Sequence, residues 1–82
     1  MKAKQMENYL LETYGKVVHN MEAMEYACNE VAKGHDITTE EVFFFMVENK
    51  PIPTMYTHSY GFNTRAGRVL KHEFQNIYHN YQ

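Results

Sequence analysis

The sequence is poor in the residues that stabilise small folds covalently or through a metal ion. Its 82 residues contain one cysteine, Cys28, and no tryptophan. One cysteine excludes a disulfide within the chain and a cysteine zinc site built from a single copy. A lone cysteine in a helical stripe is typical of a small core residue. The core must therefore come from aliphatic side chains, six methionines and an aromatic fraction of 15%.

A long hydrophobic run is also missing. The longest is the six residues Val42–Val47, whereas about 20 residues are needed to span a bilayer. The start of the chain, Met1–Asn8, lacks the apolar segment of a secretory signal. We expect one soluble cytoplasmic domain over residues 1–82, without membrane insertion.

No strong charge of one sign points to a partner. Residues 1–50 hold five lysines and nine acidic residues, whereas residues 51–82 hold Arg65, Arg68 and Lys71 against Glu73. The net charge of −2 argues against non-specific coating of nucleic acid.

Apolar residues in the first 32 residues follow a helical period. From Lys4 to Ala32 they recur at alternating spacings of four and three, which predicts a long amphipathic helix. The stripe consists of Leu10, Tyr14, Val17, Met21, Met24, Cys28 and Val31. It packs either within the domain or as a coiled-coil seam against a second copy or another protein.

One glycine interrupts this segment and another follows its end. Gly15 costs about 1 kcal/mol inside a helix, so the helix is kinked there or broken into Lys4–Tyr14 and Lys16–Ala32. Gly34 is a natural residue to end the helix after Lys33.

The stretch Ile37–Asn49 is predicted as a short, strongly capped helix. Thr38 and Glu41 have capping-box spacing, and Ile37 and Val42 have the spacing of a hydrophobic staple. The residues Val42–Val47 place apolar groups on every side of the helix, which indicates a central core helix. The alternative is that one phenylalanine face is left for a partner protein.

The remaining chain predicts an irregular stretch, Lys50–Gly61, and a C-terminal helix capped by Asn63. The apolar face of this helix is formed by Ala66, Leu70, Phe74, Ile77 and Tyr81, with Val69 and Tyr78 beside them. The expected fold is all-α, a small domain of three to four helices with a long or kinked N-terminal helix.

Catalytic and metal-binding patterns are not found. The five histidines are His19, His35, His58, His72 and His79, and no two of them stand at i, i+4. Ser59 lies beside His58 without an acid nearby in sequence to orient it. We predict no enzymatic activity, no metal and no cofactor.

Apolar mass beyond what so small a core can cover favours a regulator that binds another protein. Aromatic anchors dominate interface energetics, and the predicted binding residues are Phe43, Phe44, Tyr56, Tyr60 and Phe62. The partner is a protein, and a homo-oligomer remains open.

The alternative is a nucleic-acid-binding regulator of helix-turn-helix type. The stretch Asn63–Lys71 begins a helix with polar and basic residues, as a recognition helix requires. The residues that would contact nucleic acid are Asn63, Arg65, Arg68 and Lys71.

In length and composition the chain resembles the small accessory proteins of T-even bacteriophages. It is short, helical, rich in Met, Tyr and Asn, and without a catalytic motif. That group includes a cytoplasmic antiholin of lysis inhibition. The resemblance implies a viral protein in the host cytoplasm that binds the cytoplasmic segment of a holin and delays lysis, or else an inhibitor of a host protein.

Overall fold

The computed structural model describes residues 1–53, 60–61 and 63–82. In these residues the chain forms four helices, so the predicted all-α fold is confirmed. The helices are α1 (Ala3–Tyr14), α2 (Met21–His35), α3 (Thr39–Glu48) and α4 (Arg65–His79). An isolated antiparallel bridge joins Ile52 to Tyr60, with each amide nitrogen 2.9 Å from the partner's carbonyl oxygen.

The most extensive contacts between helices are made by α2. It packs against α1, α3 and α4, because Ala23, Ala27 and Cys28 are fully buried and too small to hold a neighbouring helix away. The sequence predicts α3 as the central helix, and the structure differs. Val42, Phe43 and Phe45 are fully buried, but the rest of the apolar run is only half-buried.

The N-terminal segment is two helices rather than one kinked helix. Gly15 ends α1 in the left-handed conformation, with φ at 64°. The Gly15 amide donates to the carbonyl of Leu11 at 3.0 Å, and the Lys16 amide donates to that of Leu10 at 3.2 Å. Asn20 then starts α2, its side chain accepting from the amide of Ala23. The predicted helix Lys16–Ala32 is therefore wrong at both ends.

The predicted stripe is interrupted by the same break. Leu10, Met21, Met24, Cys28 and Val31 are buried within the single chain, whereas Tyr14 and Val17 are 45% and 72% exposed. These two positions fall at the end of α1 and in the connection, where the helical period no longer decides which way a side chain points.

The end of α2 also differs from the prediction. Gly34 lies inside the helix, which continues to His35 and ends at Asp36, a residue in the left-handed conformation with φ at 55°. The amide of Ile37 donates to the carbonyl of Ala32 at 3.1 Å. Asp tolerates this conformation better than most residues.

The predicted capping box of α3 is confirmed. Thr38 accepts a hydrogen bond from the Glu41 amide at 3.1 Å, and the Glu41 carboxylate accepts one from the Thr38 amide at 2.9 Å. The helix ends at Asn49 in the left-handed conformation, one residue before Lys50-Pro51.

Thr64, not Asn63, caps α4. Its hydroxyl oxygen accepts from the amide of Gly67 at 3.0 Å and from that of Gly61 at 3.1 Å, and donates to the Gly61 carbonyl at 2.8 Å. This brings the backbone of Gly61 directly against Gly67. A Cβ at Gly67 would overlap the Gly61 carbonyl oxygen and lie 3.2 Å from Cζ of Phe45.

We therefore expect Gly67→Ala to lower the free energy of unfolding by about 3 kcal/mol, because a backbone carbonyl cannot move aside cheaply. Gly34→Ala is the matched control. A Cβ there meets no atom within 4 Å, and helix propensity should raise the stability by about 0.5–1 kcal/mol. Urea unfolding followed by circular dichroism measures both, and equal effects would contradict this packing.

The capped start and buried ring of α3 give a second prediction. Thr38→Ala should cost about 1 kcal/mol through loss of the cap. Phe45→Ala should cost about 3–5 kcal/mol, because the ring is fully buried. Thermal and urea unfolding measure both. A neutral Phe45→Ala would contradict the burial of this ring.

Candidate protein-binding surface

An apolar groove opens where the end of α1 meets α2 and α3. It encloses about 240 Å³. Its two methionines belong to different helices, and flexible thioether side chains adapt to varied apolar surfaces. We call this the α1–α3 groove, and it is lined by Leu10, Tyr14, Lys16, Val18, Met24, Met46 and Val47.

More apolar surface lies beside the groove in the chain. Leu11 follows the lining residue Leu10 and is 44% exposed, and Val17 lies between the lining residues Lys16 and Val18. Single exposed apolar residues are ordinary, whereas an apolar concavity is the usual form of a binding site.

Glu48 holds the tyrosine wall of this groove. The hydroxyls of Tyr9 and Tyr14 both donate to its carboxylate oxygen Oε2, Tyr14 at 2.8 Å. The Tyr9 ring packs edge-on against Tyr14, Phe43 and Phe44, with centroids 5.2–6.3 Å apart. The end of α1 is thereby attached to α3.

These hydrogen bonds shift the titration of all three groups. Accepting them, first from Tyr9 and then from Tyr14, lowers the pKa of Glu48 below its ordinary value. Donating to Glu48 raises the pKa of Tyr9 and raises that of Tyr14 to about 12. The cluster is thus most stable with an ionised carboxylate and neutral tyrosines.

A second groove lies beside Phe44. It encloses about 360 Å³, and the ammonium of Lys50 lies 5.9 Å from the centre of the Phe44 ring. Its lining mixes charged and apolar residues: Glu40, Glu41, Phe44, Lys50, Pro51, Ile52 and Pro53.

The five predicted protein-binding residues do not form one described surface. Phe43 is fully buried in the core, so its ring offers no surface to a partner. Phe44 is half-buried and lines the second groove. Tyr60 is half-buried as well, and Tyr56 and Phe62 lie outside the described residues.

Tyr60 is engaged within the domain by His35. Nδ1 of His35 lies 2.7 Å from the Tyr60 hydroxyl, and Nε2 lies 2.7 Å from Oε2 of Glu73. The histidine ring also packs edge-on against the Tyr60 ring. This junction ties the end of α2 to α4 and to the bridge residue Tyr60.

The four predicted nucleic-acid residues lie at the start of α4 but do not all share a face. Asn63, Arg65 and Arg68 are exposed, and Arg68 donates to the Asn63 carbonyl at 3.2 Å. Lys71 is half-buried and lies about 120° around the helix from Arg65. The sequence allows a short positioning helix within Pro53–Gly61, and residues 54–59 of that stretch lie outside the described residues.

Sequence reasoning missed most of the α1–α3 groove. Val18, Met46 and Val47 were not singled out, and Tyr14 was placed on a buried stripe. The sequence signal for the groove is Gly15. If α1 ends there, the apolar residues that follow no longer lie on the helical stripe.

The described residues contain neither a membrane-spanning helix nor a cluster of metal-ligating side chains. No helix among them has the length and apolar character to cross a bilayer. No three His, Cys, Asp or Glu side chains in residues 1–53, 60–61 and 63–82 are grouped as metal ligands would be.

Compared with known proteins, the chain matches no protein-family model, no curated protein and no solved structure. The resemblance to the accessory proteins of T-even bacteriophages therefore stays a prediction and assigns no residue a role.

The Glu48 cluster predicts a pH dependence. Because folding lowers the pKa of Glu48, its stabilising effect is present above the ordinary carboxyl pKa and is lost as the pH falls through the lower, folded value. Because folding raises the pKa of Tyr14 from 10.0 to about 12, its effect is present below pH 10 and is lost as the pH rises toward 12.

Glu48→Gln tests this prediction. The stability difference from the wild type should be present at pH 7 and shrink at about pH 3, and the pKa of Tyr14 should fall toward 10. Urea unfolding and ultraviolet titration of tyrosine are the measurements. Glu12→Gln, at an exposed position of α1, is the control. The same pH response in both variants would contradict the role of Glu48.

Proposed function

We propose that this protein is a small non-enzymatic regulator that binds another protein through the α1–α3 groove and modulates its activity. The observation that carries the proposal is an apolar groove of about 240 Å³. Two exposed apolar residues adjoin its lining residues in the chain, Leu11 and Val17, with exposed fractions of 44% and 72%. Such surface is costly to leave in water, and a partner that covers it gains the free energy of burial.

The form of the groove favours an amphipathic helix as the partner segment. Grooves between helices bind such helices through apolar anchors at i, i+3, i+4 and i+7. Lys16, the one charged residue among the described residues that line this groove, would pair with an acidic residue beside those anchors. Met24 and Met46 allow the lining to adapt to the partner's side chains.

The proposal changes which residues bind. Tyr14, Val17, Val18 and Met46 replace the buried Phe43, and Phe44 remains a candidate through the second groove. Within the resemblance to T-even bacteriophage proteins, the partner segment is the cytoplasmic part of a holin, the effect is a delay of lysis, and the location is the host cytoplasm. A host protein is the alternative partner.

Val17→Asp tests the groove. A carboxylate that becomes buried and unpaired in the complex should weaken partner binding at least tenfold, about 1.4 kcal/mol. The free protein should stay folded, because Val17 is exposed. Val69→Asp is the matched control, because Val69 is 46% exposed on α4. The measurement is capture from host lysate with the wild type and both variants as bait, followed by titration of the identified partner.

The outcomes are distinct. A protein bound by the wild type and by Val69→Asp, but lost with Val17→Asp, supports the proposal. Equal binding by all three baits contradicts it. Light scattering identifies the case in which the partner is a second copy of the chain, and Val17→Asp should then shift the mass to that of a monomer.

The antiholin proposal has a test of its own. Co-expression with a T-even bacteriophage holin should delay lysis, and Val17→Asp should abolish the delay while Val69→Asp keeps it. Lysis at the same time with and without the protein would contradict the antiholin role and leave the groove proposal standing.

A further inference from the structure

The outer face of α4 carries positive charge and no acidic residue. Its members are exposed and lie within a sector of about 100° around the helix, given 3.6 residues per turn. We call this the α4 outer face, and it consists of Arg65, Arg68, Val69, His72, Asn76 and His79.

The charges on this face are available to a partner. Among the described residues neither Arg65 nor Arg68 pairs with a carboxylate, and residues 54–59 and 62 contain no acid. The one acid of α4, Glu73, is directed to His35 at 2.7 Å. The positive end of the helix dipole lies beside Arg65 and adds to its field.

From this arrangement we propose that the α4 outer face binds double-stranded DNA in the major groove, with Arg65 and Arg68 on phosphates. The groove is about 12 Å wide and accommodates a helix with its side chains, about 10–12 Å across. His72 and His79 supply ring N–H donors along the face. Asn76 and Val69 are of the types that contact adenine edges and thymine methyl groups.

Other anionic partners fit this face less well. A protein partner requires buried apolar anchors, and Val69 is the one apolar residue of the face. A bilayer surface requires a helix whose apolar face enters the lipid, but Leu70 and Phe74 are buried in the core. The deep, narrow major groove of duplex RNA does not admit a helix.

The proposed surface differs from the one that the sequence predicts. It extends along α4 to His79, whereas Lys71 lies off it and is half-buried. It is also independent of the α1–α3 groove, so either proposal can fail alone. The nine acidic residues within the first 50 oppose phosphate, so the binding should be modest and strongly dependent on salt.

The test is fluorescence anisotropy with a labelled mixed-sequence DNA duplex of roughly 20 base pairs, two helical turns. At low salt we expect a Kd on the order of 10⁻⁵ M. Arg65→Gln/Arg68→Gln should weaken binding at least about tenfold and reduce the slope of log K against log salt by about 2.

The control variant removes the same charge elsewhere. Lys4→Gln/Lys33→Gln changes two exposed lysines on α1 and α2 and should leave the affinity within about twofold and the slope unchanged. Arg65→Gln alone, which keeps the Arg68 bond to Asn63, should reduce the slope by about 1. Circular dichroism checks that each variant is folded.

Three results would overturn the proposal. The first is no binding of the duplex at low salt. The second is an equal loss in both double variants, which would indicate net charge rather than this face. The third is binding of phosphatidylglycerol vesicles without binding of DNA, which would indicate an anionic lipid surface instead.

Discussion

Close approach to α2 is the constraint on which the rest of the structure depends. Ala23, Ala27 and Cys28 bury completely, and their small side chains let three other helices reach the same helix. A chain of 82 residues has a core too small to build around several centres. The larger side chains, among them Phe43, Phe45 and Leu70, fill the space around α2 instead.

The packing of α4 also depends on a residue small enough to allow close approach, in this case of the backbone. Gly67 has no Cβ, so the Gly61 carbonyl lies against the helix, and Thr64 satisfies the amides on both sides of the contact. The Phe45 ring also lies against Gly67. Because Gly67 has no side chain, the segment before α4, the cap of α4 and the core ring can all contact one another at this point. The glycine that costs helix propensity is required by packing.

The two proposed surfaces depend on where α1 ends and on which side of α4 faces away from the core. The α1–α3 groove exists because Gly15 stops α1 before its apolar stripe does, leaving Tyr14 and Val17 outside the core. Glu48 then holds Tyr14 at the groove wall. The α4 outer face contains no acidic residue because Glu73, the one acid of α4, lies outside its sector and contacts His35. Each surface thus results from a polar contact that joins two helices.

Local patterns in the sequence are sufficient to predict the helical class and the capping box of Thr38 and Glu41. These features depend on residues three or four apart in sequence, and such spacings are readable without the fold. The bounds of α2 were predicted less well. Asp36 in place of Gly34 ends that helix, and residues of both types adopt the left-handed conformation.

The sequence by itself therefore determined the helices, one of their caps and most of the core. Tertiary structure decided what no spacing encodes: the contact of Gly67 with Gly61, the junction of His35 with Tyr60 and Glu73, and the attachment of Tyr14 to Glu48. The partners in these contacts are 6 to 38 residues apart in sequence. The folded chain brings them together through the cap at Thr64 and the packing of the helices against one another.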